Sequence, residues 1–423
     1  MKAYKIIGIM TGNSMDAIDM VLTEFVGKNI RDICTFSQPY TPDMQQRAER
    51  LRAQVRGRNR EQISALPDFE PFHNDYVRQI ADCVNQMCAE NQLDKTRIDA
   101  IGFHGKTLDH NPPSKARRDG SQPYTLQIGS GQMLADLTGI QTVYDFRSDY
   151  IMRGFEGAPL VAPHNAHIAQ IEGDGCYYNG GNTANFALIQ NGKALIYADA
   201  GPFNEYVDNY IRTHTNLAFD KDGLYGSQGN LNKELLQKLF DLGRAYYEAM
   251  LPKSGDPAYY KKDEVFALLD DTDCRFVDKV RTLEYFAAYI AAQALTLAPS
   301  DIELSPRFVW FGGGWKNPVV GEDFRNLLRG DGYVLPEHKK AFAELQQRLG
   351  QSVTAEYSKF GTYMEARLFA ELAYYYLTKQ TWELPEVINT GQSLICGISA
   401  QPHTPQKQYT DMFSRAAKGW SSH

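Results

Sequence analysis

A chain of 423 residues with 43% hydrophobic and 22% charged residues has an ordinary globular composition, and it is longer than one hydrophobic core usually serves. We therefore expect two domains of similar size with a cleft between them. The net charge of −7 disfavours nucleic acid or an anionic membrane surface as the main partner.

No part of the sequence predicts export or membrane insertion. The apolar run near the start, in MKAYKIIGIMTGNS, is too short for a signal-peptide core and has no cleavage site. The most apolar later stretch, YFAAYIAAQALTLAP from Tyr285, is too short and too polar to span a bilayer, so it predicts a buried helix. The six cysteines form neither a CxxC pair nor a disulfide framework, which favours a reducing cytoplasm.

The first part of the chain predicts three strands followed by a helix. YKIIGIM, residues 4–10, has the apolar run of a buried strand, and the turn Thr11-Gly12-Asn13-Ser14 leads to a second strand, AIDMVLTEF. A third strand is expected near residues 30–36, and a helix from about Pro42.

The same order of elements recurs in the second half. A strand ends near Tyr178, a tight Asn-Gly-Gly-Asn turn follows at 179–182, and the strands TANFALI and ALIYAD flank an Asn191-Gly192 hairpin. A helix is expected from near Phe203. Further on, IDAIGFHG and RFVWFGGG are both apolar strands that run into glycine loops. Gly181 follows Gly12 by 169 residues, a spacing that indicates a duplicated domain rather than a solenoid.

This layout predicts an α/β fold of two similar actin-like, ribonuclease H-like domains with an interdomain cleft. We expect the domains at residues 1–140 and 141–384, with 385–423 returning to the first. The plan is similar to that of the actin-like sugar kinases and Hsp70 ATPases, whose two glycine hairpins grip phosphate. Glycine allows the backbone to approach phosphate oxygens closely, and closure excludes water from phosphoryl transfer.

The segment Gly105-Lys106-Thr107 has the spelling with which a phosphate-binding P-loop ends. A P-loop would need a glycine in place of Ala100 and a helix directly after the Lys-Thr pair. Asn111-Pro112-Pro113 cannot propagate such a helix. A nucleoside triphosphatase built on Lys106 is therefore disfavoured, although it stays open as a third hypothesis.

Ten sequence blocks carry a more specific signal. They are GIMTGNSMDAID (8–19), GFHGKTLDH (102–110), TLQIG (125–129), TGIQTVYDFR (138–147), GAPLVAPH (157–164), NGGNTAN (179–185), DAGPFNEYVD (199–208), FDKDG (219–223), FGGGWKNP (311–318) and MEARLFAELA (364–373). Together they resemble the anhydro-N-acetylmuramic acid kinases of peptidoglycan recycling. The resemblance implies a small-molecule anhydro sugar as partner, ATP and Mg²⁺ as cofactors, and a homodimer. It also implies transfer of phosphate to O6 while a water opens the bridge at C1.

The resemblance assigns catalytic and substrate roles within these blocks. Asp199 matches the family's general base, and a carboxylate is ionised at neutral pH; the alternative is that Asp199 caps the helix that follows. Arg147 would bind sugar oxygens or stabilise phosphate charge, and the alternative is a structural pair with Asp145 or another carboxylate. The residues on the sugar side are His104, Thr107 and Glu365. For His104 the alternative is a satisfied interdomain histidine, and for Glu365 a solvated helix residue.

The predicted nucleotide site combines the two hairpins with the triple-glycine loop. Its residues are Gly12, Asn13, Ser14, Asp16, Asp19, Gly181, Asn185, Gly312, Gly313, Gly314 and Asn317. Asp16 is the expected metal residue, holding water on Mg²⁺, and its alternative is a turn-capping role. His164 and His167 are one helical turn apart, but without a third ligand we interpret them as helix-face histidines.

Several positions depart from the family pattern at functional loops. Asn182 replaces a glycine of the second hairpin, and Lys106 replaces a glutamine. After Arg147, the segment SDYIMRGFEG places Tyr150 at the usual aspartate and Phe155 where a small or amide residue is usual. These changes favour two hypotheses: a kinase whose sugar pocket is altered, or a catalytically weak paralogue that acts as a nucleotide or sugar sensor or scaffold.

Overall fold

The computed structural model describes residues 2–12, 15, 17–158, 160–251, 253, 260–350, 352–382, 394–406 and 408–417. The strands are β1 (Tyr4–Thr11), β2 (Ala17–Val26), β3 (Asn29–Pro39), β4 (Ala100–Phe103), β5 (Lys106–Asn111), β6 (Tyr124–Ile128), β7 (Thr142–Tyr144), β8 (Gly175–Gly180), β9 (Thr183–Gln190), β10 (Lys193–Pro202), β11 (Arg307–Phe311), β12 (Thr354–Tyr357) and β13 (Ile398–Ala400). The helices are α1 (Pro42–Val55), α2 (Arg60–Ser64), α3 (Phe69–Glu90), α4 (Pro113–Asp119), α5 (Gly131–Thr138), α6 (Ser148–Met152), α7 (Ala162–Glu172), α8 (Asn204–His214), α9 (Lys233–Tyr247), α10 (Lys262–Asp271), α11 (Phe276–Thr296), α12 (Pro318–Arg329), α13 (Lys339–Leu349) and α14 (Met364–Thr378).

The chain divides into two compact units. The first consists of Met1–His164 with Tyr363–His423, and the second of Asn165–Thr362. The boundaries thus fall later than the expected 140/141 and earlier than the expected 384/385. The physical reason for the second difference is α14, which packs on β1, β2 and β4 of the first unit. Gly8 and Gly102 permit this contact, because a Cβ at either would lie within 2 Å of an α14 carbonyl, at 1.8 and 1.9 Å.

The first unit is built on a six-stranded sheet in the order β13-β7-β4-β1-β2-β3. β1, β2 and β3 are antiparallel to one another, whereas β4 is parallel to β1 and β7 is parallel to β4. The expected helix after the third strand begins at Pro42, where Thr41 accepts the backbone N–H of Met44 and proline needs no hydrogen-bond partner. Apolar side chains of the sheet and of α3 form the core of this unit.

The second unit repeats this arrangement. Its sheet has the order β10-β9-β8-β11-β12, with β8, β9 and β10 antiparallel and β11 parallel to both β8 and β12. The two sheets therefore share the order and direction of five strands, and the predicted pair of actin-like domains is confirmed. α11 is buried at every position from 282 to 295, which confirms the buried helix expected around Tyr285. Across the described residues, every helix is too short or too polar to cross a membrane.

The Gly105-Lys106-Thr107 segment lies at the start of a small two-stranded sheet. Lys106 is the first residue of β5, which pairs with β6 in antiparallel register. A strand therefore follows the Lys-Thr pair in place of the helix that a P-loop requires, and the third hypothesis is excluded. The next helix, α4, begins at Pro113 itself, since proline is well suited to the first position of a helix.

Candidate active site

The predicted site residues form two groups, one in each unit. The first group includes Gly12, Asp19, His104, Arg147 and Glu365. The second includes Gly181, Asn185, Asp199 and the loop from Gly312 to Asn317. Asn13, Ser14 and Asp16 lie outside the described residues.

In the first unit, a carboxylate stands beside the hairpin between β1 and β2. Asp19 of β2 pairs in register with Met10 of β1 and with Ser37 of β3, so the three side chains share one face of the sheet. The Ser37 hydroxyl donates to Asp19 Oδ1 at 2.7 Å. This bond orients the Asp19 carboxylate close to the hairpin.

The described part of this hairpin is anchored by a buried lysine. The Gly12 carbonyl accepts the backbone N–H of Met15 at 3.2 Å and Lys106 Nζ at 3.0 Å. The Met15 carbonyl in turn accepts Gln45 Nε2 at 2.9 Å. Lys106 is 2% exposed, so its ammonium group serves here as a structural donor to the hairpin backbone.

Arg147 is held in place by His104. Its Nε donates to His104 Nε2 at 3.0 Å and its Nη1 donates to the Gly157 carbonyl at 2.8 Å. His104 Nδ1 lies 2.9 Å from the Gly105 carbonyl, an arrangement that requires the neutral imidazole with its proton on Nδ1. Burial, followed by the charge of Arg147, lowers the pKa of His104 well below its ordinary value. The histidine is therefore a neutral support for the guanidinium.

Asp145, one alternative partner considered for Arg147, is paired with Arg415. The Asp145 carboxylate accepts hydrogen bonds from Arg415 Nε at 2.7 Å and from Ser148 Oγ at 2.5 Å. Arg147 is also close enough to Glu365 for its charge to act on that carboxyl group. Desolvation by the surrounding protein and then the Asp19 carboxylate raise the pKa of Glu365, while Arg147 opposes both. Asp19, Arg147 and Glu365 are thus electrostatic neighbours.

Thr107, expected on the sugar side, follows Lys106 on β5. Its hydroxyl accepts Gln127 Nε2 at 3.3 Å from the neighbouring strand β6. The side chain is partly exposed, and a bulge in the β5–β6 ladder follows it.

In the second unit, polar side chains again form a row across three antiparallel strands. Asn185 of β9 pairs in register with Asn179 of β8 and with Asp199 of β10. These positions correspond to Met10, Asp19 and Ser37 of the first unit. Asn185 Oδ1 is buried and accepts no hydrogen bond from the described residues, so it is available to a water or a ligand.

Asp199 itself lies at a bulge near the end of β10. Its backbone N–H donates to the Lys253 carbonyl at 2.9 Å. Lys253 Nζ donates to the carbonyls of Tyr246 and Tyr247 at 3.0 and 2.7 Å, at the C-terminus of α9. Burial lowers the pKa of Lys253 to about 8, and the Asp199 charge opposes this effect. The Asp199 charge also helps to raise the pKa of Tyr246 and Tyr260, after the larger effect of burial.

The helix-capping alternative for Asp199 concerns the start of α8, a few residues further along the chain. α8 begins after Phe203 without a side-chain cap. Its first N–H groups are satisfied by the second hairpin, because Phe203 N donates to the Asn182 carbonyl at 2.7 Å and Asn204 N donates to the Gly181 carbonyl at 3.1 Å. The hairpin is thereby fixed to the start of α8.

The triple-glycine loop packs closely against the same hairpin. Gly312 has φ +79° and ψ 161°, and a Cβ there would lie 2.7 Å from both Asn179 Oδ1 and the Gly180 carbonyl. A Cβ on Gly314 would lie 2.3 Å from Asn204 Oδ1, whereas Gly313 has nothing within 4 Å of its Cβ position. Gly313 is therefore the open position of the loop.

A profile of one protein family, described as "Anhydro-N-acetylmuramic acid kinase", matches residues 4–401. The chain belongs to this family.

The chain is also similar to individual kinases and to solved structures. The chain is 31% identical over 397 residues to an anhydro-N-acetylmuramic acid kinase of Vibrio vulnificus (strain CMCP6), with 93% of this chain and 96% of the relative covered. It is 28% identical over 410 residues to the Haemophilus influenzae kinase of the same name, with 94% and 98% covered. Component A of the Acidaminococcus fermentans (R)-2-hydroxyglutaryl-CoA dehydratase aligns with a TM-score of 0.40 at 10% identity, covering 87% of this chain and 96% of the other. Family membership confirms the predicted enzyme class, an ATP-dependent sugar kinase, and nothing among the relatives supports a catalytically weak paralogue.

Two of the substitutions expected to alter the kinase's sugar pocket lie in its interior instead. Tyr150 is fully buried on α6 and its hydroxyl donates to the Trp382 carbonyl. Phe155 is 9% exposed. These two departures from the family pattern therefore change the packing of the first unit, which weakens the argument for a different sugar.

The paired histidines of the kinase also have an interior role. His164 Nδ1 bonds to the Glu371 carboxylate of α14, and both side chains are fully buried. Within the described ranges, no three His, Cys, Asp or Glu side chains are grouped so that they could hold a metal ion.

Sequence analysis missed Lys253, Tyr246 and Tyr260, which surround Asp199. They lie far along the chain from the Asp199 block. The only feature of the sequence that could have indicated them is the lysine in the loop-like sequence LPKSG. A lone lysine in a loop is most often a solvated residue, so composition alone could not select it.

Replacement of Gly312 by alanine tests the packing of the glycine loop. The φ and ψ of Gly312 are accessible almost only to glycine, and the added methyl group would also overlap the hairpin backbone. We expect Gly312→Ala to lower the free energy of unfolding by about 3 kcal/mol. Gly313→Ala is the matched control and should change it by less than about 0.5 kcal/mol. Chemical denaturation of the two variants measures the difference, and equal stabilities would contradict the described loop geometry.

Proposed function

We propose that this kinase transfers the γ-phosphoryl group of ATP to O6 of 1,6-anhydro-N-acetylmuramic acid and hydrolyses the anhydro bridge in the same reaction. Asp199 takes a proton from water, the water oxygen bonds to C1, and the C1–O6 bond breaks. O6 then bonds to the γ-phosphorus as the bond to the β-phosphate oxygen breaks, which yields ADP and the 6-phosphate of the open sugar. The family profile and the named relatives support the substrate.

The observation that carries the proposal is the position of Asp199. Its backbone is fixed by Lys253, and it shares a sheet face with Asn185, whose buried Oδ1 has no described donor. A general base has to be ionised and within reach of the proton that it removes. The Asp199 charge acts on the neighbouring Lys253 ammonium, whose pKa it raises against the effect of burial.

The residues of the first unit would bind the sugar and the transferred phosphate. Arg147 presents a fork of donors held by His104 and Gly157, and such a fork matches phosphate or sugar oxygens. Glu365 would accept hydrogen bonds from sugar hydroxyls.

Mg²⁺ would neutralise charge on the ATP phosphates. In kinases this ion is bound mostly by phosphate and water oxygens, with only one or two carboxylates from the protein. Asp19, oriented by Ser37 beside the first hairpin, fits that requirement. We propose Asp19, together with Asp16, as the carboxylates on the metal side.

The proposal is tested by ADP release from the purified protein with ATP and Mg²⁺, with and without 1,6-anhydro-N-acetylmuramic acid. We expect release that depends on the sugar, with stoichiometric formation of the 6-phosphate product. ATP binding without sugar-dependent release would reject this substrate. A screen of other 1,6-anhydro sugars in the same assay would then identify which sugar, if any, is phosphorylated.

We also propose a cytoplasmic location and a homodimer. All six cysteines are free thiols, which suits a reducing compartment. Light scattering coupled to size-exclusion chromatography measures the mass in solution, and a monomer at all concentrations would reject the homodimer.

A further inference from the structure

A buried carboxyl group lies behind the glycine loop of the second unit, and the proposed mechanism does not use it. Glu284, on α11, has no exposed surface. Asn317 Nδ2 donates to Glu284 Oε1 at 2.6 Å, and Asn317 Oδ1 accepts the backbone N–H of Val319 at 3.0 Å as the N-cap of α12. Both ends of the Asn317 amide are thus occupied within the protein, and Glu284 holds the last residue of the glycine loop.

Another buried acid, Asp220, contacts the same short loop as the second carboxyl oxygen of Glu284. Asp220 accepts the backbone N–H groups of Tyr225 at 3.0 Å and Gly226 at 2.9 Å. A Cβ on Gly226 would lie 1.7 Å from Glu284 Oε2, so both carboxyl groups contact the same short loop. Glu284 Oε2 accepts no hydrogen bond from a donor among the described residues.

Two neighbouring carboxyl groups form a hydrogen bond only when one of them carries a proton. Glu284 has no exposed surface, and burial disfavours the charged form of a carboxyl group, so the proton belongs on Glu284. Arg281, one turn earlier on α11, is paired with Asp323 of α12, to which its guanidinium donates at 2.5 and 2.7 Å. Burial and then the Asp220 charge raise the pKa of Glu284 well above its ordinary value, while Asn317 and Arg281 oppose them.

We propose that Glu284 stays protonated at neutral pH and donates a hydrogen bond to Asp220. This bond would hold the 220–226 loop and the Gly312–Asn317 loop together as one nucleotide-binding surface. The inference rests on the proposed nucleotide role of the glycine loop. Glu284 is a positioning residue, since it acts on ATP only through these two loops.

Glu284→Gln reproduces both bonds of the protonated acid, because its amide oxygen accepts from Asn317 and its NH₂ group donates to Asp220. In the unfolded wild-type chain the glutamate ionises above about pH 4.3, whereas in the folded chain it stays protonated. The folded state then binds one proton more, so wild-type stability falls as pH rises from about 4.3 towards the folded pKa. The glutamine variant has no such dependence.

We therefore expect the difference in Tm between Glu284→Gln and the wild type to grow by about 3 °C per pH unit between about pH 5 and pH 8. Glu322→Gln, at an exposed position on α12, is the matched control and should keep a constant difference. A constant difference for Glu284→Gln would overturn the inference.

ATP affinity, measured by calorimetry, tests the positioning role. Glu284→Gln should keep the ATP Kd within about twofold at neutral pH, and Glu284→Ala should raise it about tenfold. If the alanine variant does not fold, the glutamine variant decides, since a raised Kd there would overturn the inference. Absence of sugar-dependent ADP release in the wild type would reject the proposed function without changing the Tm result. A constant Tm difference in an active kinase would reject only the role of Glu284.

Discussion

Asp199→Asn is expected to lower kcat about 10³-fold while ATP affinity changes less than about twofold. Asparagine has the shape of aspartate but cannot take the proton from the attacking water. The backbone bond from residue 199 to Lys253 does not involve the side chain, so the fold of β10 should persist. Because Lys253 is already held by the Tyr246 and Tyr247 carbonyls, the variant should also keep its local structure.

The measurement is steady-state ADP release together with calorimetric ATP binding. Asp331→Asn, at an exposed position of the same unit, is the control for loss of one negative charge and should have wild-type kinetics. Unchanged turnover in Asp199→Asn would show that another group is the base. Loss of both turnover and ATP binding would instead indicate a structural role.

Arg147→Ala is expected to lower kcat/KM for the sugar about 10²- to 10³-fold, with a smaller effect on ATP affinity. The guanidinium is fixed at Nε by His104 and at Nη1 by the Gly157 carbonyl, so its remaining donors point in a fixed direction. A lysine offers a single flexible ammonium group and cannot make both bonds. The kcat/KM of Arg147→Lys should therefore exceed that of Arg147→Ala by less than about tenfold.

Two comparisons distinguish a direct role of Arg147 from a structural one. Arg97→Ala, at an exposed position of the first unit, should leave kcat/KM unchanged. His104→Gln keeps an acceptor for Arg147 Nε, so it should lose much less activity than Arg147→Ala. Recovery of full activity in Arg147→Lys would contradict the need for a fork of donors.

Much of the candidate site followed from local patterns. Alternating and apolar runs predicted the strands that precede each hairpin, and the repeated order predicted the duplication. Asp199 was selected within a matching block at the end of a strand, and the structure places it at a bulge there. These features depend on residues that are neighbours in sequence, so propensity and pattern are sufficient for them.

Several contacts of the candidate site join residues that are distant along the chain. Arg415, near the end of the chain, pairs with Asp145, and His104 accepts Arg147 Nε. The carbonyls of the second hairpin accept the first N–H groups of α8. Neither partner can be inferred from the spacing of the residues concerned.

Sequence alone determined the family, the enzyme class and the two-fold repetition of the α/β plan, because blocks of neighbouring residues carry that information. Only the tertiary structure decided that Lys106 supports the Gly12 hairpin, that Lys253 approaches Asp199, and that Tyr150 is a core residue. The reason is physical: the state of a buried charge or hydroxyl depends on the partners that folding brings within hydrogen-bond distance, and these lie far away along the chain.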